Sequence, residues 1–396
     1  MTDKTPHARR DFLLVAVAFF ITMMGTTLPT PLYALYQQQL GFDAIWLTLI
    51  FSVYAAGVIA ALVLVGSWSD QIGRRPLLLA GLLMAAISAV IFLATHSVGG
   101  MLAGRLFSGF SAGIMTGTAT VAVVESAPKA WRTQATLMAT AANMLGLGFG
   151  PLLAGFTSQY LPWQTTLVFW LHLCLLILAA AGIAVTRETV QRPAQVRLGI
   201  MRPSITPAVR ALFIPAAIAG LAGFSVAGVV TSLVPSIMRQ LMGQQSGLVI
   251  GAVCCLFFVA SIGGQAALKW IAPNQQMTVG CWGLIAGVLA LGASIHTHQM
   301  GLLLLGGCLS GAGQGMVFKA GMGAVMAACP PQQKAAVTSA LFIVFYCSMS
   351  LPVIALGFSI APFGLSLAGE VFSAIIAGVA ALAMVSMGYA RRASAL

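Results

Sequence analysis

Charge is what this sequence has least of. Only 7% of its 396 residues are Asp, Glu, Lys or Arg, and the acids number seven. A water-soluble domain carries about a quarter charged residues. A chain of this size cannot cover a water-facing surface with so few, so a soluble fold is excluded. Long polar intervals are scarce too, which argues against a receptor with a sizeable soluble domain. The seven cysteines (Cys174, Cys254, Cys255, Cys281, Cys308, Cys329 and Cys347) form no C-x-x-C pair, and six sit in apolar stretches. They read as buried apolar filler rather than as a disulfide or metal framework. His296 and His298 lie together but lack a third ligand. No nucleophile–base constellation appears. Neither an enzyme nor a metal or other cofactor is expected.

What the chain has in abundance is apolar length: 59% of it is hydrophobic. Apolar runs recur at 12–36, 44–66, 76–95, 98–124, 133–157, 164–185, 210–237, 246–264, 277–296, 300–327, 335–358 and 363–390. Each is close to the roughly 20 residues that cross a bilayer as a helix. All are too long for the alternating strands of a membrane barrel. The first run follows Arg9 and Arg10 as a signal would, but it exceeds a signal core and has no polar cleavage region before Pro29. It reads as a first spanning helix. The expectation is an all-α membrane protein of twelve helices.

The net charge of +12 reports topology rather than nucleic-acid binding. With the N-terminus in the cytoplasm, the inner loops hold Lys4, Arg9, Arg10, Arg74, Arg75, Lys129, Arg132, Arg187, Arg192, Arg197, Arg202, Arg210, Lys269, Lys334, Arg391 and Arg392. Arg239 alone falls outside, and Arg105 and Lys319 fall within helices. That bias places both termini in the cytoplasm of a multi-pass inner-membrane protein.

The longest polar stretch, TRETVQRPAQVRLGIMRPSITPAV at 186–209, reads as a cytoplasmic linker. It divides the chain into six-helix halves at 1–185 and 210–396. An internal repeat supports the division. At an offset of 202, Thr95, His96, Gly99, Leu102, Ser108, Gly109 and Gly113 meet Thr297, His298, Gly301, Leu304, Ser310, Gly311 and Gly315. Pro128 meets Pro330 and Arg132 meets Lys334 at the same offset. The first runs of the halves match more loosely, Gly25 and Pro31 against Gly228 and Pro235.

The loop after the second run reads GSWSDQIGRRPLL at 66–78. Glycines make its turns tight, the arginines supply inside charge, and an Asp near a helix end can cap a neighbouring N-terminus. Gly66, Asp70, Gly73, Arg74 and Arg75 resemble the loop signature G-x-x-x-D-x-x-G-R-[RK] of the major facilitator superfamily. RLFSGFSA resembles its fourth-helix motif through Arg105, Gly109 and Ala112. GLGFGPLLAG at 146–155 resembles the antiporter signature G-x-x-x-G-P-x-x-[GA]-G through Gly146, Gly150, Pro151, Ala154 and Gly155. The counterpart loop QAALKWIAPNQQ lacks the acid and the glycines, and the stretch around Pro352 lacks most of the glycines.

The resemblance implies the major facilitator fold, two six-helix bundles related by a pseudo-two-fold axis, with a substrate site between them. It is similar to the twelve-helix drug/proton antiporter branch, which implies proton-coupled efflux of a drug or metabolite such as a siderophore or sugar derivative. A solute importer or facilitator of the same fold is the alternative. The implied partners are a small molecule, protons and membrane lipid, with the protein monomeric. In the superfamily Asp70, Arg74 and Glu125 would form a conformational latch, Asp70 meeting the start of the eleventh helix. Arg105 would serve proton coupling or bind anionic groups, or else snorkel outward. Lys319 is open to substrate binding or to snorkelling inward. Glu370, the one acid well inside a run, is the proton candidate by elimination, since the first run carries only Asp11, at its inner edge. His172 is the other ionisable group within a run. Asn143 and Gln314 add polar groups to an otherwise apolar and aromatic cavity.

Overall fold

The computed structural model describes residues 5–66, 68–190, 193, 195–196 and 198–395; side chains of 5–7, 44, 133, 208, 331 and 390–395 are not described. Lys4, Arg192 and Arg197, with the side chains of Arg391 and Arg392, lie outside the described residues. The helices are α1 Thr5–Thr27, α2 Tyr33–Leu40, α3 Ala44–Val65, α4 Ser69–Ile72, α5 Arg74–Ala94, α6 Val98–Ser126, α7 Arg132–Tyr160 and α8 Leu167–Ala184. They continue as α9 Pro207–Ser232, α10 Val234–Gln240, α11 Gly247–Ala267, α12 Gln276–Thr297, α13 Met300–Ala328 and α14 Lys334–Ala395. No strand occurs among the described residues.

Among the described residues, eleven stretches are long and apolar enough to cross a membrane. The last of them, Lys334–Tyr389, spans 56 residues and bends at Gly364 (φ 77°, ψ 162°) just after Pro362. A left-handed glycine stops one helix and a second restarts at once, so this stretch supplies two crossings and completes twelve. The break falls at 364, a few residues beyond the 359–362 gap expected from the apolar runs. The first run is interrupted as well. After α1, Pro29 and a 3₁₀ turn over Thr30–Leu32 precede α2, and the equivalent stretch of the second half breaks between α9 and α10 at Leu233.

The 202-residue offset reappears in the elements themselves. α6 and α13 are both 29 residues long and start at Val98 and Met300. The 3₁₀ turns at Lys129–Trp131 and Pro331–Gln333 and the starts of α7 and α14 follow the same shift.

The chain divides into two compact units, one of residues 1–40 and 53–202, the other of 41–52 and 203–396. In the first, α1 packs on α6, α7 and α8, and α5 packs on α6 and α8. In the second, α9 lies against α13 and α14, α12 against α13 and α14, and α11 against α13. Helices approach closely where glycine leaves room. A Cβ on Gly109 of α6 would sit 2.1 Å from the Tyr54 carbonyl of α3. Of the cysteines, Cys254, Cys281 and Cys329 are buried and Cys255, Cys308 and Cys347 half-buried, but Cys174 is exposed. On a membrane-facing helix side a thiol needs no burial in protein, which corrects the expectation for that one residue.

Candidate functional site

The loop signature sits where α4 ends and α5 begins. Gly73, at φ 109° and ψ 158°, makes the turn between them, and a Cβ there would lie 2.3 Å from Glu188 Oε2. Glu188 belongs to the linker. Its Oε1 accepts from Arg74 N at 2.8 Å and its Oε2 from Arg75 N at 3.1 Å. Thr189 N and Val190 N also donate to Oε1, at 3.0 and 3.2 Å. The free amides and positive dipole end of α5 are therefore met by a carboxylate. Within this unit the acid at that helix start is Glu188, not Asp70. Asp70, its side chain 66% exposed, pairs with Arg74 one turn on at 2.5 Å.

Arg74 is the centre of this end. It is buried, and its guanidinium grips Glu125 of α6 with two bonds, Nε to Oε2 at 3.1 Å and Nη2 to Oε1 at 3.0 Å. Nη1 donates to Ser69 Oγ at 2.7 Å. Glu125 accepts further from Thr189 Oγ1 at 2.6 Å. Such planar two-point pairs are stronger and more directional than single contacts. The linker is fastened at other points: Arg187 N donates to buried Asp11 at 3.3 Å, Trp68 Nε1 to Gly199 O at 3.3 Å, and Met201 N to Val63 O at 2.7 Å. Gly66 ends α3, where a Cβ would come 2.4 Å from the Leu62 carbonyl.

The antiporter-like stretch lies on α7 against α1. A Cβ on Gly146 would meet Phe20 O at 2.5 Å, and one on Gly150 would meet Met24 O at 2.4 Å. Gly155 is buried on the same helix. Pro151 has no N–H, so the carbonyl one turn back, Leu147 O, loses its helical partner. Thr27 Oγ1 of α1 donates to that carbonyl at 2.8 Å. The second unit repeats the device. Pro352 of α14 releases Ser348 O, and Ser225 Oγ of α9 donates to it at 2.9 Å.

Arg105 is 2% exposed and does not snorkel. It donates through Nη1 to the Thr26 carbonyl of α1, and its guanidinium carbon lies 4.6 Å from the centre of the Tyr54 ring of α3. A guanidinium over an aromatic face is held by the ring's quadrupole. One cation thus ties α6 to α1 and α3.

The remaining candidates do not converge with these. Asn143 of α7 is half-buried, and its side-chain oxygen has no hydrogen-bond partner. Gln314 of α13 is buried and accepts from Ser261 Oγ of α11 at 2.7 Å. Lys319, one turn further on α13, is exposed and donates to the Gln265 carbonyl at 3.1 Å. Glu370 is not deep in a span, as the apolar run suggested. It faces His296, in the last turn of α12, at 3.4 Å, and accepts from Ser366 Oγ at 3.0 Å. The bend at Gly364 sets the second part of α14 only a turn or two before Glu370, so the acid lies level with the end of α12. Glu188 and Thr189 were not singled out from sequence. Their only signal was an acid and a hydroxyl in a linker otherwise rich in arginine.

A bundle of apolar helices built as two units with matching boundaries defines a multi-pass membrane protein. The Major Facilitator Superfamily model matches residues 15–352, and the chain belongs to that family of transporters, which are not enzymes. It is similar to the multidrug transporter MdfA of Edwardsiella piscicida, 27% identical over 157 residues, 40% of this chain and 38% of that protein. It is also similar to the chloramphenicol resistance protein CraA of Acinetobacter baumannii, 29% identical over 39% of this chain and 37% of that protein. The cephamycin export protein CmcT of Amycolatopsis lactamdurans is 27% identical over 42% of this chain and 35% of its own length. In each case the chain spans well under half the relative's length. Among solved structures, the human organic anion transporter MFSD10 superposes with a TM-score of 0.70 at 19% identity, over 96% of this chain and 99% of that one. A POT family transporter in complex with a thioalcohol-conjugated peptide reaches 0.77 at 14% identity, over 97% of this chain and 96% of that one. These two show the fold.

Proposed function

We propose that this chain is a secondary active exporter of a small organic molecule, driven by proton antiport and working by alternating access of two six-helix halves, 1–185 and 210–396, joined by the 186–209 linker. The observation that carries the direction is α7. Its glycines lie flush on α1, and its Pro151 hands a carbonyl to Thr27, which makes the antiporter-like stretch a built joint between two helices. The names of the relatives, for multidrug transport, chloramphenicol resistance and cephamycin export, support the same direction. The basic loops support a location in the inner membrane with both termini in the cytoplasm, and one chain is taken as the working unit.

Arg74, Glu125 and Asp70 are proposed to act as a conformational latch. Such a latch works only as a difference between states. Arg74 is sequestered and Asp70 exposed here, so the loop acid is the member free to change partner. Arg105 is proposed as a coupling residue, because moving it must disturb α1, α3 and α6 together.

Intracellular accumulation of a panel of drugs and metabolites, compared between deletion and overexpression strains, tests the reading. Deletion should raise, and overexpression lower, the level of at least one compound, and a protonophore should abolish the difference. Overexpression that raises accumulation in a protonophore-insensitive way would instead support a facilitator.

A further inference from the structure

The first unit holds a small pocket of about 10 Å³, room for about one water, lined by Thr22, Thr26, Ser88, Ser108, Ser111 and His172 among others. It is unusually polar for the inside of an apolar bundle. Thr22 and Thr26 give their hydroxyl protons to the Ala18 and Met23 carbonyls, and Ser88 and Ser111 give theirs to the Gly104 and Gly81 carbonyls, all at 2.7 Å. With those protons engaged, the oxygens offer the cavity only lone pairs. A lining of acceptors suits a guest that donates, and water is the guest that also conducts protons.

His172 of α8 is the titratable group on this wall, and it is 2% exposed. Its Nε2 lies 3.0 Å from the Ile21 carbonyl. A carbonyl can only accept, so Nε2 carries a hydrogen and Nδ1 holds the lone pair. No bond from Nδ1 to a protein group occurs among the described residues. Gly25 makes the arrangement possible: a Cβ there would stand 2.1 Å from imidazole Cε1. The helices packed on α8 are α1, α5 and α7. Between Asp11 and its far end α1 carries no ionisable side chain, α5 carries none beyond Arg75, and α7 none between Arg132 and Tyr160. Among the described residues, Arg105 of α6 holds Thr26 O, one residue along α1 from Gly25.

We propose that His172 is a proton-loading site of this transporter, reached through a single water in the hydroxyl-lined pocket; this rests on the proton-coupled reading above. A proton passes from water to Nδ1, the imidazole becomes imidazolium, and the proton returns to water when the cavity opens to the other side. No other bond changes. The coupling is electrostatic and local. Imidazolium and guanidinium pull on carbonyls of the same stretch of α1, at Ile21 and Thr26, and repel each other, so loading His172 loosens the hold of Arg105.

The proton itself is the probe. Protein carrying ¹⁵N-histidine and ¹³C-carbonyl isoleucine, in lipid nanodiscs, identifies the His172 ring by its contact with Ile21, without any substitution. As the pH is lowered stepwise from about 8 to about 4, Nδ1 of that ring should gain a proton while Nε2 keeps its own. A ring that stays in one neutral form throughout would overturn the proposal. In proteoliposomes, His172→Gln should retain equal-pH counterflow of the exported compound and lose most, at least tenfold, of its pH-driven accumulation. If both fall equally, or neither falls, the loading role is wrong. If wild-type accumulation ignores the pH gradient, the proton-coupled reading fails instead, and the ring titration is judged on its own.

Discussion

At the residue scale, Glu188 and Arg105 hold the most together. Glu188 ties four backbone amides, two of them at the start of α5. Loss of a helix N-cap costs about 0.5–2 kcal/mol. Glu188→Ala should therefore lower the melting temperature of the purified protein and weaken transport. Gly73→Ala should do so more severely, because it combines a positive φ with a collision against the same carboxylate. Thermal unfolding in detergent checks both, and Gly73→Ala with unchanged stability would refute this account of the turn. Arg105→Ala should abolish energised efflux while the protein still inserts. Arg105→Lys should rescue it poorly, since an ammonium cannot lie flat over Tyr54 as a guanidinium does; efflux assays in intact cells distinguish the outcomes.

At the element scale, the proline helices make a sharper prediction. Thr27→Val leaves Leu147 O unpaired inside the protein and should cost roughly 1–3 kcal/mol. Pro151→Ala restores an N–H one turn on, so in that background Thr27→Val should cost much less. A double-mutant cycle on thermal stability reads the coupling, and strict additivity would contradict it. Ser225 and Pro352 should behave alike. The latch gives the companion test. Asp70→Asn should cripple transport at normal expression, whereas Glu125→Gln should also destabilise, by about 1.5–3 kcal/mol, because it strips a charged partner from buried Arg74.

Much of this was legible in the sequence. Long apolar runs mark spanning helices, since lipid tolerates little else, and the 202-residue offset reproduces helix ends to the residue. Arg74 and Glu125 were legible as a pair because a known spacing and a scarcity of acids left few choices. Partners far apart in sequence were not. Glu188 lies 114 residues from Arg74 and reads as one acid among arginines. Thr27 lies 120 residues from Leu147, and no local pattern says which carbonyl a proline will orphan. Glu370 was misjudged for a related reason: hydropathy sees length and not where a bend sets the start of a helix. His172 was visible as an ionisable residue, but its cavity is made by Gly25, Ser88 and Ser111 on other helices.

At the scale of the whole molecule, the family fixes that the chain is a transporter, and the proposed direction and driving force are argued from the joint of α1 with α7 and from the few ionisable groups of the first unit. The repeated halves are unequal in this respect. The second unit keeps the helix boundaries and the proline device but lacks the loop acid, the loop glycines and a counterpart of Arg105, whose equivalent position is Gly307. The asymmetry suits a carrier in which one half holds the coupling chemistry. Uptake of a compound identified by the accumulation panel into inside-out membrane vesicles tests this most directly. Acidifying the vesicle interior should drive accumulation of the compound against its gradient, and a protonophore should collapse it. Flux into right-side-out vesicles that ignores the proton gradient would contradict proton-driven export.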